Sequence, residues 1–153
     1  MIQVDSRLVR APLARVFALG AEVERWPEHL PHYRWVRTLE RTPGLAVVEM
    51  AAWRPFGPLR WPTWWVSEMV VDRAAPTVRY RHVRGITRGM DVEWRFTPDA
   101  EGTVATITHV WDGPAWPLIG RFAAGAVILP LFVHAIAQRT LAGLARVAEA
   151  GGR

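Results

Sequence analysis

His82 stands in "VRYRHVRG", residues 78–85, where the alternate positions are Val78, Tyr80 and His82. If the valine and tyrosine point inward, so does this imidazole. A neutral histidine near pH 7 serves as base or hydrogen-bond donor; the plain alternative is a histidine satisfied by one hydrogen bond in a polar wall. His109, in "TITHVW", repeats the pattern with Ile107 and Trp111 on its face. Tyr33 offers a hydroxyl that can donate to a carbonyl, or an edge that packs. Ser67 follows "WPTWWV", residues 61–66, and shares parity with Thr63, Trp65 and Met69. It lacks the glycine-flanked elbow of a hydrolase nucleophile, which leaves a contact to a ligand or a core hydroxyl. Glu49 and Glu93 are expected to face solvent.

Other chemistries find little support. His29 and His32 lie three apart, but Pro31 intervenes and no paired ligands follow, so no metal is expected. "GITRG" lacks the strand–loop–helix setting and the lysine of a phosphate loop, and no cofactor is expected. The chain has no cysteine, which removes disulfides and thiolate sites and makes reducing cytoplasm the expected home. "MIQVDSRLVRAP" has no apolar stretch and does not read as a secretory signal. All the cationic side chains behind the net charge of +5 are arginine. They are spread along the chain with a modest concentration at Arg79, Arg81, Arg84 and Arg88, a solvated strand face rather than a nucleic-acid surface.

The elements that must position these side chains follow from punctuation and period. "TPG", "RPFGP", "RAAP", "RGITRG" and "PDAEG" separate strand-length segments rich in Val, Trp, Tyr and Thr. "MDVEWRF" alternates with Met90, Val92, Trp94 and Phe96 on one face, as an antiparallel sheet with one wet face requires. A meander of about six strands from Tyr33 to Trp111 is predicted, with an earlier strand at Gln3–Val9. Two short helices fall between, over Pro12–Gly20 and "ERWPEHLPHY". Phe132, Ile136, Thr140, Leu144 and Val147 predict a helix over 131–149; Pro130 starts it or kinks a longer one from near Leu118. "FAAGAVILPLFV", 122–133, is shorter than the ~20 residues that span a bilayer, so a buried helix is expected, with at most peripheral membrane contact. One domain covers residues 1–150, and 151–153 are expected to fray.

This order, with "APLARVFALGAEVERWPEHLPHY", "WWVSEM" and "GMDVEWRF", resembles the START-like, helix-grip superfamily, in particular its polyketide cyclase/dehydrase and coenzyme-Q-binding branch. The resemblance spans the chain. It implies an α+β helix-grip fold: a curved antiparallel sheet of about seven strands wrapped on a long C-terminal helix, with a cavity between them. It places Trp26, Leu30 and Tyr33 at a pocket entrance and Trp65, Ser67 and Trp94 on its wall. Aromatase/cyclases carry an arginine where this chain has Met69, a second where it has His82, and an asparagine where it has Thr140. Arg81 or Arg84 could compensate only by reaching the cavity.

Cyclising a polyketide needs enolisation, a donor for the developing oxyanion and a pocket that folds the chain. His82 and Tyr33 are the candidate catalytic pair, with Trp26, Leu30, Trp65, Ser67, Met69, Trp94, His109 and Thr140 as ligand contacts. Nine tryptophans suit flat or conjugated ligands, although many must fill the core. Three readings stay open: an aromatase/cyclase, a non-catalytic carrier of quinone or lipid, and a module that binds a protein partner.

Overall fold

The computed structural model describes residues 1–151 and has the predicted α+β order. Of the expected frayed tail, Gly151 ends the last helix; residues 152–153 lie outside the described residues. β1 (Ile2–Val9) leads into α1 (Leu13–Ala21), a 3₁₀ turn (Val23–Arg25) and the one-turn α2 (Trp26–His29). Then come β2 (Tyr33–Thr42), β3 (Leu45–Phe56), β4 (Leu59–Asp72), β5 (Thr77–Gly85), β6 (Asp91–Asp99) and β7 (Gly102–Val110). The C-terminal helix runs from Gly120 to Ala150 in three parts: α3 (Gly120–Ala123), a π-helical stretch (Ala124–Val133) and α4 (His134–Ala150).

The strands form one antiparallel sheet in the order β1-β7-β6-β5-β4-β3-β2. Short turns make β2 to β7 a meander, and β1 alone is out of sequence, pairing with β7 from Ile2↔Val110 to Val9↔Thr103. Two irregularities in β2 help to curve the sheet. A third falls between the pairs Val66↔Arg84 and Ser67↔His82, so that Val83 is the additional residue of β5. Bulges bend a strand and re-aim its side chains. This one sits directly beside His82.

Across β4 the predicted alternation holds at Ser67 and Met69, both buried, and Glu68, exposed. α4 grips the concave face through Ala137, Thr140, Leu141, Leu144, Ala145 and Ala148, a stripe at helical spacing. The stripe is rotated slightly from the predicted one, with Ala148 buried in place of Val147. Small residues let the helix come close: Leu30 presses onto Gly143, where a methyl group would lie 2.3 Å from its Cδ2. At the other edge His134 Nδ1 and Gln138 Nε2 meet Asp5 Oδ1 at 2.5 and 2.8 Å, tying α4 to β1.

The apolar run 122–133 departs from expectation. It is helical but not buried: Phe122 is 73% exposed and Leu131 44%, with Ala124, Ile128 and Leu129 the buried members. By length and apolar content Gly120–Ala150 could cross a bilayer, yet its α4 half is the core of the domain. The reason lies in the fold. Toward Gly120 the inner face of the helix covers a cavity in place of the sheet, and its outer face is exposed. Pro130 neither starts the helix nor ends it; it sits within the π-helical stretch, whose wider turn accommodates a residue without an N–H.

Candidate ligand cavity

The space between the sheet and the C-terminal helix is a cavity of about 520 Å³, within the range that holds small organic ligands. β4, β5, β6 and β7 supply its floor, and Ala123 to Thr140 its roof. Among the described residues no arginine, aspartate or glutamate lines it. Its polar side chains are Tyr33, Thr63, Tyr80, His82, Thr87, His109 and Thr140, set among Trp, Met, Ile and Val.

Of the predicted contacts, Trp26, Tyr33, Trp65, His82, Trp94, His109 and Thr140 come together on this wall. Leu30, Ser67 and Met69 do not. They share the inner side of the domain but are consumed in its packing, at 1%, 0% and 4% exposure. The expected entrance is also displaced. Trp26 is 2% exposed and Tyr33 7%, so the α2 region forms an inner wall. The exposed rim is instead built by Trp61 of β4, Ile86 of the β5–β6 turn, and Trp116 and Val127 beside and within the helix. α2 is pinned by Trp26 Nε1 donating to Leu19 O at 2.9 Å. Its indole packs edge-on against Tyr33, with centroids 5.1 Å apart, and obliquely on Trp94 at 5.4 Å.

His82 stacks flat on Trp65, with centroids 5.9 Å apart and planes 7° from parallel, and its Nδ1 lies 2.6 Å from Thr87 Oγ1. Burial, with a smaller contribution from His109, pushes its pKa down to about 3. Burial likewise takes His109 down to about 4, against a small opposing effect of Asp5. Both rings are therefore neutral at pH 7. A general base works best with a pKa near the operating pH, so the expected role of His82 as base is weakened. Its role as a neutral donor is strengthened: when the Thr87 hydroxyl donates to Nδ1, the proton of the ring sits on Nε2.

A second cluster joins Tyr33, Thr140 and His32. Thr140 Oγ1 lies 2.9 Å from Ile136 O, 3.0 Å from His32 Nε2 and 3.5 Å from the Tyr33 hydroxyl. Burial raises the Tyr33 pKa to about 12, only partly opposed by Thr140, so the phenol keeps its proton. His32, lowered to about 4 by burial and by Arg139, was weighed in the sequence only as a metal ligand beside His29 and not as a partner of Thr140.

Neither arginine reaches the cavity. Arg81 pairs with Asp91 on the outer face, and the Arg84 guanidinium lies 5.5 Å from the ring centre of Trp64. Glu49 differs from expectation: it accepts hydrogen bonds from Trp35 Nε1 (3.1 Å) and Trp64 Nε1 (3.2 Å) and is half-buried between them. Glu93 pairs with Arg79 and Arg95 on the outer face. Tyr80, Thr87, Met90 and Ile107 complete the wall without having been named as contacts; the β5 alternation that exposed His82 pointed equally to Tyr80. Among the described residues, no cluster of three or more His, Cys, Asp or Glu could hold a metal ion.

A curved antiparallel sheet closed by one long helix over an apolar cavity defines a START-like, helix-grip protein. A model of the family described as polyketide cyclase / dehydrase and lipid transport matches residues 9–131, and the chain belongs to that family. It is 35% identical over 99 residues to a Streptomyces halstedii protein named "Putative polyketide cyclase", covering 63% of this chain and 88% of that one. The fold is shared with TTHA0849 from Thermus thermophilus, at a TM-score of 0.82 and 20% identity over the whole of both chains. It is shared also with the ZhuI aromatase/cyclase from Streptomyces sp. R1128, at a TM-score of 0.69 and 22% identity, covering 99% of this chain and 98% of that one.

Proposed function

We propose that the protein takes a flat or folded polyketide-like molecule into the helix–sheet cavity and directs its cyclisation by shape and hydrogen bonding. The observation that carries this reading is the wall itself: a cavity of about 520 Å³ where Trp26, Trp65 and Trp94 offer aromatic surface. Tyr33 and His82 are its candidate donors to ketone oxygens. In an aldol closure the α-carbon loses a proton and attacks a ketone carbon, and the former ketone oxygen gains a proton; dehydration then releases water. Neutral donors aimed at that oxygen stabilise the charge as it develops. Such a protein would work as a soluble domain in the cytoplasm.

Product analysis with a polyketide chain generated in situ tests the reading. The wild type is expected to shift the distribution toward one cyclised product, with Tyr33→Phe and His82→Ala each reducing that shift while the fold is retained. An unchanged distribution with and without the protein would overturn it. One observation favours a second reading, a carrier of quinone or lipid without turnover: among the described residues no arginine lines the wall. Co-purification of an unreacted quinone or lipid, without any effect on products, would select it.

A further inference from the structure

Around the cavity mouth the protein exposes side chains that a folded domain ordinarily buries. Leu59 and Trp61 of β4, Ile86 of the β5–β6 turn, Trp116 and Leu118 before α3, and Phe122 within it all stand in solvent. They gather on one side of the molecule, for Trp61, Ile86 and Trp116 line the same cavity. The β3–β4 hairpin is fastened to the helix by Arg54 Nε donating to Leu131 O. Phe56 also lies edge-on to Phe132, with centroids 5.7 Å apart. Trp111 Nε1, just ahead of the segment that carries Trp116 and Leu118, donates to Arg88 O at 3.1 Å. Single exposed apolar residues are ordinary; a group of them on one face marks a surface that meets something.

Backbone strain and charge both set this face apart. Leu118 has φ +67° and, among the described residues, is the one non-glycine residue with a positive φ. Leucine is disfavoured there, and its side chain is fully exposed, so no packing contact offsets the strain. The charge is as uneven. Segments 50–67, 84–90 and 113–133, which build the mouth, hold five arginines and no aspartate or glutamate. That equals the whole formal excess of +5, so the rest of the chain is balanced. Arg60, Arg88 and Arg121 are exposed and, among the described residues, form no ion pair.

We propose that the cavity mouth docks on the surface of an anionic phospholipid bilayer. Its apolar rim enters the boundary between headgroups and acyl chains, and Arg60, Arg88 and Arg121 meet the lipid phosphates. Apolar and tryptophan side chains interleaved with arginine are the composition that such a boundary holds. The rim comes from separate segments of chain, and a fluid acyl layer receives separate prongs without matching pockets. A second copy of this chain fits less well, because a self-complementary contact would set arginines against arginines with no acid between them. The protein lies on the bilayer and does not span it, since the α4 half of its long apolar helix is the core of the domain. None of this depends on what the cavity holds.

Co-sedimentation with phosphatidylcholine vesicles, with or without about one-third phosphatidylglycerol, tests the docking at low and high salt. The anionic vesicles are expected to bind about tenfold or more tightly than the neutral ones, and high salt to remove most of that difference. Arg60→Gln combined with Arg121→Gln should weaken binding about tenfold or more. Leu118→Gly and Phe122→Ser should each weaken it about five- to tenfold. Because Leu118→Gly relieves the positive φ, its melting temperature should not fall, which separates a lost contact from a lost fold. Lipids brominated in their acyl chains should quench the wild type, and Trp61→Phe and Trp116→Phe should each reduce that quenching. Binding that ignores lipid charge, or that survives all of these substitutions, would overturn the proposal. So would failure to bind either vesicle, which would leave this face to an acidic protein. A concentration-dependent dimer without vesicle binding, lost in Phe122→Ser, would overturn it in favour of a second copy.

Discussion

Lowering the pH from 7 to 5 should cost this domain about 6 kcal/mol of stability through three residues, His32, His82 and His109. Their ordinary pKa is 6.5; in the folded protein desolvation, aided at His32 by Arg139, holds them at about 4, about 3 and about 4. Where the folded value is depressed, the unfolded chain takes up protons that the folded chain refuses, so stability falls as pH falls through 6.5. At pH 5, about one and a half pH units below that value, each histidine contributes a loss of about 2 kcal/mol, at ~1.4 kcal/mol per unit. The loss stops growing once the folded rings themselves protonate, below about pH 4 for His32 and His109 and below about pH 3 for His82. Carboxylates act in a lower window. Glu93, held below its ordinary value by hydrogen bonds from Arg79 and Arg95, loses its contribution only as pH falls through its own depressed pKa. Urea unfolding followed by tryptophan fluorescence at pH 7, 6 and 5 reads this directly. His109→Gln should reduce the slope by roughly a third, because an amide does not titrate. A wild-type stability that is flat between pH 7 and 5 would refute the claim that these imidazoles are desolvated and uncharged.

Other perturbations probe separate joints of the fold. Gly85 closes β5 with φ +101°, and an added methyl would lie 2.6 Å from Trp64 O; Gly85→Ala should destabilise by roughly 2 kcal/mol or more and disturb the Trp65–His82 stack. Gly44→Ala is the control, sharing a positive φ with nothing within 4 Å, and should cost only about 1 kcal/mol by thermal melting. Leu141→Ala, in the core half of the helix, should cost about 2–5 kcal/mol, whereas Phe122→Ser, on its exposed outer face, should stay within about 0.5 kcal/mol. Thr140→Val removes the hydroxyl between His32 and Tyr33, and chemical denaturation should show a loss of about 1 kcal/mol.

Much of the architecture was written in local pattern. The alternation of "MDVEWRF", the glycine and proline turns and the helical spacing after Pro130 each report a neighbour relation within a few residues, and such relations survive in a linear string. So the meander, the gripping helix and the inward parity of His82 and His109 were all legible there. Parity, however, says only which side of a sheet a residue takes. It cannot tell a wall that faces a cavity from one that faces a helix. Ser67 and Met69 share that inner side with Trp65, yet only Trp65 reaches open space.

What the tertiary structure alone decided depends on groups distant in sequence. A cavity beneath the helix turned an apolar run into a half-exposed roof, because burial is set by what lies opposite and not by hydropathy. Among the described residues no arginine, aspartate or glutamate lines that cavity, and desolvation there made the histidines weak bases and the tyrosines reluctant acids. Whether a polar atom has a partner is likewise a question of three-dimensional neighbours. Thr87 answers it for His82, and among the described residues none answers it for the Tyr80 hydroxyl or His109 Nδ1. The sequence by itself determined a sheet, a helix and a set of inward-facing side chains; folding determined which of them line the cavity, since hydrogen bonding and desolvation are properties of the assembled interior.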